Sequence, residues 1–274
     1  MIVVTGATGN VGRPLVQALA AAGEKVTAVS RRPGSDAPDG VVHLQADLLR
    51  PKSLEVALDG ADALFLLTSA EWHVADGDLT AVLDVVWATG VRRVVLLSSQ
   101  GVGTGRHPSD LEDAVTGSGF AWTLLRPGGF ASNDLWWAEP VRARRTVFTP
   151  FPDVPLPIID PADIADVAAA VLLGDGHVGR TYELTGPAPI SPRERVAAIG
   201  AALGEEVRLV EQSRAEARSQ MLAFMPERGA DATLDILGNA TPDEQRVSPD
   251  VERVLGRPPR AYAEWVGRNV AAFR

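Results

Sequence analysis

The sequence contains no cysteine. That excludes a disulfide framework, a thiolate metal site and a cysteine nucleophile, and it makes an intracellular protein the expectation. Of the 26 basic residues only Lys25 and Lys52 are lysines, which leaves few candidates for lysine-dependent chemistry. The four histidines, His43, His73, His107 and His177, form no metal-ligand spacing, so no metal site is expected. A Walker glycine-lysine loop and a nucleophile elbow are also missing. No apolar run approaches the roughly 20 residues that span a bilayer. The chain opens directly into Ile2-Val3-Val4 without a basic leader, so a soluble, cytoplasmic protein with no membrane association is expected. A formal charge of −9 and a pI near 5.0 argue against nucleic acid as a partner, because counterion release needs clustered cations. The one basic cluster, Arg142, Arg144 and Arg145, reads as a solvated face, as do the helix-spaced carboxylates Asp110 and Asp113.

What the chain does have begins at its start. Met1 to Pro33 reads as an apolar run, a glycine-spaced turn, an amphipathic segment and a second apolar run that ends in two arginines. Ile2 to Thr5 is β-branched with no turn residue, as a strand buried on both faces requires. Leu15, Val16, Leu19 and Ala20 then follow helical spacing, with Asn10 as the expected N-cap, Pro14 in the first turn and Gly23 at the end. Val26 to Val29 is the second strand. The turn Gly6-Ala7-Thr8-Gly9-Asn10-Val11-Gly12 therefore lies between a strand and a helix, the context of a dinucleotide phosphate cradle. Gly6 would permit the tight turn, Gly9 the approach of a pyrophosphate and Gly12 close packing of helix on strand. Where an NAD site places an acidic side chain, this chain has Ser30, Arg31 and Arg32. Guanidinium pairs with a 2′-phosphate, so NADPH is the expected cofactor and NADH the disfavoured one, although two exposed loop arginines would give the same signal.

The remaining chain continues the pattern. Strands are expected at Val41 to Leu44, Asp62 to Thr68, Arg92 to Ser98, Trp122 to Arg126 and Arg180 to Leu184, with a short one at Val207 to Val210. Asp47-Leu48 after the third strand could meet the adenine, or simply cap a helix. Thr68 and Ser69 should lie at the carboxyl edge where open sheets bind ligands, and Pro127 breaks the sixth strand at the same edge. Glu71-Trp72-His73 reads as a loop near the nicotinamide, and Gly101 to Pro108 as a glycine-rich loop. Helices are expected at Asp76 to Thr89, Leu111 to Ser118, Asp160 to Leu173, Pro192 to Leu203, Ser213 to Phe224, Asp231 to Leu237 and Arg260 to Phe273. The expected class is α/β, a Rossmann doubly wound parallel sheet of about seven strands in order 3-2-1-4-5-6-7 with a small, mostly helical C-terminal lobe. Residues 1–135 and 158–186 would form the dinucleotide domain, and 136–157 and 187–274 the substrate lobe.

In combination, the TGATGNVG turn, Asp47-Leu48, Ser98-Ser99, the stretch SGFAWTLLRPGGFASN from Ser118 to Asn133, and Ile159 to Ala165 resemble the NmrA-like atypical short-chain dehydrogenases. The likeness is to their NAD(P)H:quinone oxidoreductase branch and runs from Met1 to about Gly204. It implies a Rossmann sheet with a small lobe that closes over the nicotinamide. The chain departs from the wider family in its chemistry. Typical short-chain dehydrogenases protonate an alkoxide with a Tyr-x-x-x-Lys pair, but Tyr182 and Tyr262 are each without such a lysine. Pro108 stands where the NmrA-like pattern places lysine or histidine, four residues before Glu112.

Quinone reduction tolerates that loss, because the phenolate product is far less basic than an alkoxide and the cofactor carries the hard step. The expected activity is hydride transfer from NADPH to a planar, quinone-like or conjugated carbonyl compound. Ser99 and His107 are the candidate catalytic residues. Trp72, His73, Gln100, Phe130, Trp136 and Trp137 are candidates for the substrate pocket, although loop histidines are often only solvated and lobe aromatics are often core. The alternative is a non-catalytic NADP(H)-binding redox sensor that regulates a protein partner. A homodimer is left open.

Overall fold

Runs such as Ile2-Val3-Val4-Thr5 and Ala63-Leu64-Phe65-Leu66 present a side chain to both faces of a sheet with almost no polar break, so they belong where both faces are covered. The computed structural model describes residues 1–32, 38–223 and 225–274, and both runs are buried throughout in it. Among the described residues nine strands form: β1 (Ile2–Thr5), β2 (Val26–Ser30), β3 (Val41–Gln45), β4 (Ala63–Leu66), β5 (Arg93–Leu97), β6 (Ala121–Pro127), β7 (Thr146–Thr149), β8 (Arg180–Leu184) and β9 (Arg208–Glu211). Seven of them make one sheet in the order β3-β2-β1-β4-β5-β6-β8. Every neighbouring pair is parallel, as expected for strands joined by helical crossovers. The strand order reverses between β1 and β4, so the crevice beyond their carboxyl ends is where such a sheet takes a ligand.

The doubly wound sheet is as the sequence suggests, with one difference in numbering. The edge strand Arg180–Leu184 is eighth in the chain because Thr146–Thr149 is also a strand, paired in parallel with β9 in a separate two-stranded sheet. Four residues flanked by an arginine cluster and a proline-rich connection gave it too little pattern to be read.

The chain divides into two compact units. The first comprises Met1–Pro127, Pro161–Leu184 and Asp250–Arg257, and it contains the seven-stranded sheet. Leu64, Leu66 and Leu96 from the strands pack with Leu83 and Val86 of the helix Leu79–Ala88. Each such side chain contributes roughly 1.5–3 kcal/mol when fully buried. The second unit comprises Gly128–Asp160, Thr185–Pro249 and Pro258–Arg274. Its core joins Val141, Val147, Ile199, Trp265, Val266 and Phe273. The helices expected at Ser213 to Phe224, Asp231 to Leu237 and Arg260 to Phe273 are Arg214–Met221, Glu227–Gly238 and Tyr262–Asn269, the last continued by a 3-10 turn. Phe224, and the Pro33 that closes the opening stretch, lie outside the described residues. Among the described residues no helix is long and apolar enough to cross a membrane.

Candidate dinucleotide and active site

The site begins where β1 ends. Gly6 takes a φ of +63°, a conformation that side chains resist, and the chain reverses there. A Cβ on Gly12 would lie 2.2 Å from the Gly6 carbonyl oxygen and 2.8 Å from the Ala7 Cα, so helix and turn can approach this closely only with glycine. At Gly9 the same atom would stand 3.2 Å from the Gly6 oxygen. The helix Gly12–Ala21 follows, and its N-cap corrects the expectation: the cap is Val11, not Asn10, and Val11 makes no side-chain cap hydrogen bond. The first turn also has no acidic residue. An apolar N-cap residue and an acid-free first turn leave the positive potential of this N-terminus unneutralised, which fits a phosphate. A cradle that any Cβ would fill, next to such a terminus, fits the pyrophosphate of a dinucleotide.

The tip of β2 carries the arginines. Ser30 Oγ donates to the Arg32 carbonyl at 2.8 Å, and Gln45 Nε2 to the Arg31 carbonyl at 2.9 Å, which fixes the backbone while both side chains stay exposed. Arg31 Nη2 meets Glu71 Oε2 at 2.7 Å, and this hydrogen bond holds the Glu71 carboxyl below its ordinary pKa. After β3, Asp47 makes a local turn by accepting from the Leu49 amide at 3.0 Å, and it caps no helix, because the next helical segment, Pro51–Leu54, has Arg50 at its N-cap. Leu48 is half-buried against the sheet core.

Beyond β4, Glu71, Trp72 and His73 lie on a short helix, Ala70–Val74, rather than a loop. Ser69 caps that helix by accepting from the Trp72 amide at 3.2 Å, a signal the sequence carried as Ser-x-x before an aromatic. Thr68 Oγ1 and His73 Nε2 are 2.9 Å apart. Desolvation lowers the His73 pKa, and the nearby His107 lowers it further, so the neutral imidazole is favoured. Trp72 is buried in the sheet core.

Beyond β5, Gln100–Gly103 is a helical turn where a glycine loop was expected. Ser99 caps it, accepting from the Gly101 amide at 3.1 Å, and His107 Nδ1 lies 3.1 Å from the same Ser99 oxygen. The His107 ring presses on Gly101, where a Cβ would come within 2.5 Å of Nδ1. The amide nitrogen of Gln100 is buried with no hydrogen-bond partner, which leaves an unspent donor at this edge.

Next to it lies a network that reading the sequence missed. Ser98 Oγ donates to Glu112 Oε1 at 2.5 Å, and Arg126 grips both oxygens of Glu112 at 2.9 and 2.5 Å. Glu112 is buried, one helical turn before the buried Val115, and that i, i+3 spacing was the available signal. Pro127 closes β6 in a buried position.

The remaining candidates belong to the second unit. Phe130 is half-buried, Trp136 is 56% exposed, and Trp137 lies under the Arg195 guanidinium with 4.9 Å from its carbon to the ring centroid. Arg195 bonds Asp134 Oδ1 at 2.6 Å, and Tyr262 donates to Asp134 Oδ2 at 2.7 Å. Burial raises the Asp134 pKa, while these two donors pull it back toward the carboxylate they are arranged to serve. The other tyrosine, Tyr182, lies within β8 with its hydroxyl 2.7 Å from His177 Nδ1.

Comparison with known proteins places this geometry in context. The NAD(P)H-binding family profile matches residues 6–175. A (4-alkanoyl-5-oxo-2,5-dihydrofuran-3-yl)methyl phosphate reductase of Streptomyces griseus is 36% identical over 100% of this chain and 99% of its own. An NAD(P)H azoreductase of Xenophilus azovorans is 33% identical, with the same coverage of 100% and 99%. Among solved structures, the NADPH-dependent quinone oxidoreductase 2 of Escherichia coli in complex with NADPH superposes with a TM-score of 0.82 at 25% identity, over 98% of this chain and 99% of that one. The resemblance to the quinone reductase branch is thereby supported.

Proposed function

This chain belongs to the NAD(P)H-binding family, and from that premise we propose that it is an NADPH-dependent oxidoreductase that reduces quinone-like or conjugated carbonyl compounds. One juxtaposition carries the conclusion: the glycine turn after β1, the arginines after β2 and the Ser99–His107 pair after β5 all stand at the carboxyl edge of one sheet. The names of its relatives lend support. An alkanoyl-oxo-dihydrofuran, an azo compound and a quinone share an electron-poor conjugated bond.

The turn Gly6 to Gly12, with Thr8, Asn10 and Val11, would hold the pyrophosphate, Arg31 and Arg32 the 2′-phosphate, Asp47 and Leu48 the adenine, and Thr68, Ser69 and Pro127 the nicotinamide end. When bound, NADPH supplies a hydride from its nicotinamide. The chain supplies position and a proton. Ser99 Oγ, 3.1 Å from His107 Nδ1, can pass a proton to an acceptor oxygen and be recharged by the imidazole. His73, favoured as neutral imidazole, and the unspent Gln100 amide can orient a carbonyl by hydrogen bonding.

Steady-state consumption of NADPH and NADH with benzoquinone, naphthoquinone and cyclohexanone tests this. The quinones should be reduced well above the no-enzyme rate, faster with NADPH, and the ketone not at all. Ser99→Ala should slow the quinone reaction by about tenfold or less, below the 10²–10⁴ of a full general acid, because a phenolate needs little help. Quinone turnover at the no-enzyme rate with NADPH bound would sink the proposal. It would favour the sensor reading, which has one observation on its side, Pro108 in place of the family's lysine or histidine.

A further inference from the structure

The Arg31–Glu71 pair joins the tips of two strands that do not touch. In the sheet order β3-β2-β1-β4, Arg31 follows β2 and Glu71 follows β4, so the pair links the carboxyl ends of the two strands that flank β1. The contact is short, 2.7 Å, yet both side chains are exposed, 52% for Arg31 and 65% for Glu71. Such a pair is readily exchanged. Its geometry is also that of the interaction it would have to give up, because a carboxylate and a phosphate present the same oxygens to a guanidinium.

We infer that Glu71 is a specificity-determining residue: its carboxylate competes with the cofactor's 2′-phosphate for the Arg31 guanidinium, and NADPH binding displaces it. This rests on the reading of Arg31 as a 2′-phosphate ligand. Three consequences follow from charge and chain connectivity. A dinucleotide without the 2′-phosphate has nothing to put in place of Glu71, so the pair persists beside bound NADH. With the 2′-phosphate present, Glu71 loses its cation and faces a second anion, so it moves away. Because Glu71 precedes Trp72 and His73 on the same short helix, that movement is transmitted to His73, which bonds Thr68 at the β4 tip. The 2′-phosphate is thereby read twice, once by Arg31 and once through the release of Glu71. The depressed pKa of Glu71 accords with a carboxylate that stays ionised, and so competes, throughout the neutral range.

The test compares wild type, Glu71→Gln, Arg31→Ala and the double variant. Dissociation constants for 2′,5′-ADP and 5′-ADP come from calorimetry, and those for NADPH and NADH from cofactor fluorescence. Glu71→Gln should tighten NADPH and 2′,5′-ADP by about two- to fivefold, the scale of an exposed ion pair, and leave NADH and 5′-ADP unchanged. In the Arg31→Ala background the same substitution should have no effect, since the two residues act as one unit. Unchanged or weaker NADPH binding in Glu71→Gln overturns the competition. So does weaker NADH binding, which would make Glu71 a ribose ligand, and so does a gain that persists without Arg31. If Arg31→Ala instead weakens NADPH and NADH equally, the 2′-phosphate reading itself has failed, a result distinct from a failure of Glu71 alone.

Discussion

Two arginine–carboxylate pairs, one in each unit, have almost the same length, 2.7 Å for Arg31–Glu71 and 2.6 Å for Arg195–Asp134. Their surroundings are opposite. Arg195 and Asp134 are 11% and 5% exposed, Tyr262 occupies the second carboxylate oxygen, and the guanidinium lies over Trp137. Both Asp134 oxygens are thus taken by buried side chains of the same unit. At the β2 and β4 tips the pair is open to solvent and its partner can be replaced by a ligand. Identical chemistry is thus closed to exchange in one unit and open to it in the other, and the deciding variable is access to water.

The largest break in this comparison is expected at Asp134. Asp134→Ala leaves the Arg195 charge buried without its counterion, which costs about 3–5 kcal/mol and should lower the melting temperature by roughly 10 °C. A fall of less than about 2 °C would make the buried triad no more important than a surface pair. Next comes Gly12→Ala. Its new Cβ would stand 2.2 Å from the Gly6 oxygen, so the turn must open, and NADPH affinity should drop by roughly a hundredfold, about 2.7 kcal/mol. A change of less than about threefold, measured by titration, would mean that the turn is not the phosphate cradle.

The same contrast explains what could be read before the structure was known. The glycine turn and the buried strands were legible because their signals are local: Gly6, Gly9 and Gly12 serve one turn, and β1 and β4 are nearly continuous apolar runs. Ser99 could be placed at the expected strand end, but its contact with His107, eight residues on, is made by the Gln100–Gly103 turn that was expected to be a loop. The cap expected at Asn10 lies one residue later, at Val11, because the glycine turn sets where the helix begins and capping preference alone does not. Other features were invisible for a different reason. Asp134 lies 61 residues from Arg195 and 128 from Tyr262, and Glu112 meets Arg126 and Ser98 only because β5 and β6 are neighbours. Such pairings are made by topology, and no local periodicity announces them.

The most direct test of the claim that the β2 tip is a ligand-reading edge is the thermal shift of wild type and Arg31→Ala with saturating NADP⁺ or NAD⁺. NADP⁺ should stabilise the wild type more than NAD⁺ does. In Arg31→Ala that difference should shrink, with Arg32 left to meet the 2′-phosphate, while the unliganded melting temperature stays within about 2 °C of wild type, because the exposed pair contributes little to the fold. A preference for NADP⁺ that is undiminished in Arg31→Ala, or an equal loss of stabilisation by both nucleotides, would contradict that claim.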